Sequence, residues 1–249
     1  MALTKNDFAI LEKLGLEIEP VGVKFLVRTT DGVPGLDKNM TLCEMLKHAQ
    51  AGNYFYAEAK NHTCDGGTYA LGQTEAPEQY INGEFGAGLG VFSDTRAGSR
   101  LYTYAPKLNK GTVKYVAFSP LSKLSFDPDV LIIVAKTSQT EILLRASSYK
   151  TGKMWQSRYS AAIGCSWLFA YPYQSGEMNF VSTGLGFGMR RRKLFPEGLH
   201  IISFPFDQIA SLLQTLKEMP WVPRPYESDG PEYVKQLRIR LGLDLPHDK

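Results

Sequence analysis

Val130-Leu131-Ile132-Ile133-Val134-Ala135 is an unbroken apolar run, four of its six residues β-branched. A strand with one wet face alternates apolar and polar residues. A continuous run implies that both faces are covered, which makes this the central strand of a sheet. Asp127-Pro128-Asp129 forms a turn before it, and Thr137 or Ser138 caps a helix after it, with Ile142, Leu143, Leu144 and Ala146 as apolar residues. Strand then helix at this spacing suggests an α/β unit.

Further strands are expected on either side. Val21 to Arg28 is β-rich with partial alternation, Tyr54 to Ala57 is short, and Lys114 to Phe118 stops at Pro120. Met178 to Ser182 and Leu199 to Phe204 complete the set. Helices are expected after a cap at Thr4 or Asn6, after Thr41, from Glu75 to Tyr80, from Phe206 to Met219, and from Glu232 to Leu241. Thr41 followed by Glu44 has capping-box spacing, and Gly52 ends that helix. Thr29 to Asn39, the glycines from Gly83 to Gly90, Asp94 to Pro106, and Pro172 to Gly176 read as irregular. Several neighbouring strands look meander-like. The expected fold is α+β: a single domain over 1–249 with a mixed, largely antiparallel sheet and flanking helices. A subdivision near 110 is compatible with it, and 220–249 is a proline-stiffened linker followed by a helix.

Net charge is +3, too mild to argue for nucleic acid. No apolar run reaches the roughly 20 residues that span a bilayer, so no membrane partner is expected. Met1 to Asp7 lacks the pattern of a signal peptide, which makes the cytoplasm the expected location. The three cysteines are too few and odd in number for a disulfide framework.

Those cysteines carry the first functional reading. Cys43 falls in the first turn of the helix after Thr41, where the helix dipole favours a thiolate. Cys64 opens Cys64-Asp65-Gly66-Gly67, and Cys165 lies among very small residues. Three thiolates would hold an iron–sulfur cluster with one open position, or a zinc ion with His62 as fourth ligand. A second reading is a binding module for a small anionic molecule. Its pocket would use Gly66, Gly67, Gly184, Gly186, Gly188 and Arg190, with Tyr69, Trp167 and Phe187 as apolar walls. A third makes Cys64 a nucleophile, with His62 or Glu44 managing protons. Residues two apart on a strand point to opposite faces, which counts against a direct Cys64–His62 pair. The glycine-rich and aromatic segments would also suit a homodimer.

Several of these segments together resemble the uncharacterised archaeal and bacterial family known as domain of unknown function 169. They are Pro20-Val21-Gly22-Val23-Lys24-Phe25, Cys43-Glu44 with Ala49 and Gly52, and Cys64-x-Gly66-Gly67-x-x-Ala70-Leu71-Gly72. Asp127-Pro128-Asp129-Val130, the Cys165 region, and Ser182-x-Gly184 through Gly188-x-Arg190 follow. The resemblance spans most of the chain and implies no settled activity. It implies a further cysteine in the glycine turn, where this chain has none and Leu185 stands nearby.

Overall fold

The computed structural model describes residues 5–243. Six strands form one sheet: β1 (Val21–Leu26), β2 (Phe55–Glu58), β3 (Tyr115–Pro120), β4 (Val130–Ala135), β5 (Asn179–Ser182) and β6 (His200–Pro205). Their order is β2-β3-β1-β4-β6-β5, and every neighbouring pair is antiparallel. The chain on both sides of residue 110 therefore joins in one sheet. The eleven α-helices among the described residues are α1 (Ala9–Glu12), α2 (Leu42–Gln50), α3 (Asp65–Ala70), α4 (Glu78–Ile81), α5 (Glu84–Gly88), α6 (Thr95–Tyr104), α7 (Thr137–Ser148), α8 (Tyr171–Ser175), α9 (Phe187–Arg191), α10 (Phe206–Glu218) and α11 (Gly230–Arg240). None of the described helices is long and apolar enough to cross a membrane.

Burial explains the run at β4. Val130, Ile132 and Val134 join one apolar cluster with Leu42, Met45 and Leu46 of α2. Leu131, Ile133 and Ala135 join the opposite cluster, with Leu143 of α7 and Ile209, Leu212 and Leu213 of α10. The sheet is thus covered on both faces without any parallel pair of strands. The strand-then-helix unit leads from β4 through α7 to β5, and β6 returns between the two. β4 and β5 share a direction but are not neighbours.

Asp127-Pro128-Asp129 proves to be a register device. β1 pairs with β4 only across Val21 to Val23. Beyond that point Asp129 takes over, its Oδ2 accepting the Phe25 N–H at 2.7 Å while its own N–H donates to the Val23 carbonyl at 2.8 Å. Lys24 Nζ donates to the Asp127 carbonyl at 2.6 Å.

Local chemistry accounts for the two ends of α2. Thr41 caps α2 in a full capping box with Glu44, and Gly52 follows it at φ +91. The cap of α7 is Lys136 rather than Thr137 or Ser138. Of the expected N-terminal caps, Thr4 lies outside the described residues. The segment 29–39 is not in a strand, but Gly35 and Met40 make single parallel bridges to Tyr56 and His62 beside β2.

Three expectations need correction. The glycine segment 83–90 contains α5, Asp94 to Pro106 contains α6, and Pro172 to Gly176 is mostly α8. Helix α6 is polar overall, and only Gly98 and Leu101 of its inner face are buried. It forms nonetheless, with Asp94 accepting the Ala97 N–H as its cap and Gly98 packed against Gly83. Gly83 has φ +88, and any Cβ there would collide with the Thr95 carbonyl. Pro172 fits α8 because it stands in the first turn, where no N–H is needed.

Replacing Asp129 by Ala should lower stability by about 1–3 kcal/mol, because the Phe25 N–H loses its acceptor. Asp129→Asn keeps an acceptor oxygen and should cost less. Urea denaturation midpoints of the two variants, compared with the parent, check this.

Candidate functional site

On the α2 side of the sheet lies a cavity of about 280 Å³. Four separate stretches of chain build it: the start of α2, the start of α3, the 159–165 segment, and the turn into α9. The helices α4 to α6 supply the remaining wall through Tyr80, Phe85, Phe92, Leu101 and Tyr102. Larger clefts exist, about 440 Å³ beside α7 and about 630 Å³ around Arg190, but neither contains a thiol.

All three cysteines line the 280 Å³ cavity. Cys43 stands in the first turn of α2, fixed by the Thr41–Glu44 capping box. Cys64 precedes α3 and is half-buried; Cys165 is buried. Cys43 Sγ and Cys165 Sγ are 3.8 Å apart, although 122 residues separate them in sequence. Two thiols this close cannot both ionise easily. The Cys165 S–H, hydrogen-bonded to Cys43, lowers the Cys43 pKa, and Arg192 assists against the opposing effect of burial. The same contact, followed by burial, holds Cys165 protonated.

The segment carrying Cys165 has little regular structure and is held by a buried amide. Asn179 of β5 is fully buried. Its Nδ2 donates to the carbonyls of Arg158 at 2.8 Å and Trp167 at 2.9 Å, and its Oδ1 accepts the Arg158 N–H at 2.9 Å. Ile163 sits at φ +56, a conformation that a β-branched residue adopts only under strain. Cys165 follows two residues later and leads into a π-helical turn over Ser166–Ala170. The Phe187 N–H donates to the Ala161 carbonyl at 2.8 Å and ties α9 to this segment.

Tyr159 is placed by two glycines. A Cβ on Gly164 or Gly186 would lie 2.5 Å from its hydroxyl oxygen. Tyr159 lines the cavity, while its hydroxyl oxygen is buried and has no hydrogen-bond partner. Burial, and then the neighbouring Cys43 and Cys165, push its pKa well above the usual phenol value. Tyr80 is pushed up to about 12, chiefly by burial. Both phenols are therefore proton donors at neutral pH.

The expected glycine and arginine site is divided. Gly66, Gly186 and Gly188 line the thiol cavity, as does Phe187. Gly184 and Arg190 line the separate 630 Å³ cleft with Lys47 and Glu197. Gly67 lies inside α3, where a Cβ would press on the His62 ring and Leu42 at 3.1 Å. Tyr69 stacks edge-on with Tyr102, and Trp167 donates to Ser160 Oγ at 2.6 Å; neither lines the cavity. The arginines that do line it are Arg191 and Arg192. Arg192 donates to the Gly188 carbonyl at 3.3 Å and reaches Glu44 only at 3.9 Å. Sequence reasoning also passed over Tyr80, Tyr102 and Tyr159; the one available signal was their density near the glycines.

A zinc or iron–sulfur site requires its ligands to surround one point. Among the described residues, no group of three or more His, Cys, Asp or Glu side chains is placed to hold a metal ion. His62 does not line the cavity; its ring is packed against Gly67, both nitrogens lacking hydrogen-bond partners.

The model of a family described as DUF169, Uncharacterised ArCR, matches residues 9–215. An uncharacterized protein of Methanocaldococcus jannaschii is 24% identical over 222 residues, covering 86% of this chain and 94% of that protein. No solved structure matches the chain.

Burial lowers the His62 pKa to about 4. A depressed histidine pKa favours folding above the unfolded value of 6.5, and that contribution is lost as pH falls toward 4. Stability should therefore drop by up to about 3 kcal/mol across this interval through His62. Denaturant midpoints measured from pH 7 to pH 4 should fall less steeply in His62→Phe than in the parent.

Proposed function

The chain belongs to the DUF169 family, and from that starting point we propose that it is a binding protein for a small organic anion. The ligand would occupy the 280 Å³ cavity. One observation carries the reading: Cys43, Cys64, Gly66, Cys165, Gly186 and Gly188, from four separate stretches of sequence, line the same cavity. Ligand sites have this composition, mostly apolar walls with a few convergent polar groups.

Each wall has a role in the proposal. Tyr80, Phe85, Phe92 and Tyr102 give apolar and aromatic surface, with Tyr80 and Phe85 stacked at 4.4 Å. The size suits a small molecule rather than a peptide. Arg191 and Arg192 outnumber the one acidic residue of the lining, Asp65, which favours a carboxylate or similar anion. Arg192 is the better anchor, since it is half-buried and its ion pair with Glu44 is long. A guanidinium gives such an anion two parallel hydrogen bonds. The anion site expected around Gly184 and Arg190 is thus moved to Arg192.

3-Phenylpropionate is a suitable probe, with 3-phenylpropanol as its uncharged counterpart. Calorimetric titration should show the acid binding at least about tenfold tighter than the alcohol, a difference that Arg192→Gln removes. Equal binding of acid and alcohol, or an unchanged preference in Arg192→Gln, would overturn the reading.

A further inference from the structure

We propose that Cys43 and Cys165 are a redox-active dithiol, and that the cavity's substrate is a small anionic disulfide which the pair reduces. This rests on the reading of the cavity as an anion site and names the class of molecule it takes.

The argument begins with geometry. The two sulfurs are 3.8 Å apart, in contact without being bonded. A disulfide needs about 2.05 Å, so closure asks for a shift of a little under 2 Å. That displacement lies within reach of the Cys165 side. Cys165 follows the strained Ile163, precedes a π-helical turn, and sits at the end of a segment with little regular structure. Unfavourable backbone of this kind clusters at functional and switching sites. Cys43, by contrast, is fixed on α2.

The two thiols also differ in access. Cys43 is half-buried and Cys165 is buried, while both line the cavity. An incoming disulfide therefore meets Cys43 first, with Cys165 behind it as the resolving thiol. Arg192 carries positive charge beside Cys43 and is the group proposed to hold the anion, so charge recognition and attack coincide.

The chemistry balances without an added oxidant. The Cys43 thiolate attacks one sulfur of the bound disulfide R–S–S–R. That S–S bond breaks, a mixed disulfide Cys43–S–S–R forms, and RS⁻ leaves. The departing thiolate takes the Cys165 proton. The Cys165 thiolate then attacks the Cys43 sulfur, forming the Cys43–Cys165 bond and expelling the second RS⁻, which takes from water the proton that Cys43 gave up on ionising. Two protein thiols are oxidised by two electrons, and the small disulfide is reduced to two thiols.

The test uses the full chain, fully reduced and freed of excess reductant, with two probes. 3,3′-Dithiodipropionate is the anionic disulfide and 2-hydroxyethyl disulfide the neutral one. Peptide mapping after reaction should find Cys43 linked to Cys165, with two equivalents of small thiol released. Cys165→Ser should release one and keep a mixed disulfide on Cys43. Should that variant fail to fold, the mapping of the parent chain still decides. The anionic probe should react about tenfold faster than the neutral one, and Arg192→Gln should level the two. Disulfide formation at equal rates with both probes would keep the dithiol and remove the anion site. Binding of the anionic probe without a Cys43–Cys165 bond would overturn the dithiol and leave the anion site standing. Linkage through Cys64 in place of either partner would also overturn the dithiol.

Discussion

The structure depends on β4 being covered on both faces. Its alternate residues enter two different apolar clusters, one under α2 and one under α7 and α10. Roughly 25 cal/mol for each Å² of apolar surface removed from water makes such burial the main source of stability. With α7 and α10 closing one face, the other face is left to carry the cavity. Cys165 and Met189 are at once members of the α2-side cluster and part of the cavity wall, so the site is an extension of the core.

Along much of this wall, irregular chain takes the place of helices and strands, and buried polar groups give that chain a fixed position. Asn179 has no exposure and spends its amide on the backbone of Arg158 and Trp167. Thr183 does the same for the excursion that holds α9, accepting the Leu199 N–H at 3.1 Å while donating to the Pro196 carbonyl. A buried amide or hydroxyl left unpaired is costly, so these bonds give the loops a defined course. Tyr159, Ile163, Cys165 and Arg192 owe their places to them.

How much of this was legible follows from the range of each interaction. The α2 cap, the central strand and the stop at Gly52 are local, and sequence reasoning placed them. Helix α6 is polar overall and packs through Gly98 against Gly83, a close glycine contact that a count of apolar residues does not register. The three cysteines share a cavity, but of the three only Cys43 and Cys165 touch. The glycine-arginine run looked like one site and is divided. A short helix turns Arg190 outward to one cleft and Arg191 and Arg192 toward the other. A phase difference of one or two residues on a helix decides that, and composition does not encode it.

The family, the α+β class, the buried central strand and the capped start of α2 are all legible in the residues as written. These follow from the chemical nature of each residue and its near neighbours in the chain. Only the tertiary structure decided that the sheet is antiparallel throughout, and that Cys43 lies against Cys165. It also decided that Tyr159 and Arg192 share their cavity. The physical reason is separation: contacts across more than a hundred residues depend on how two covered faces and a few buried amides orient whole segments, and that geometry exists only once the chain has closed on itself.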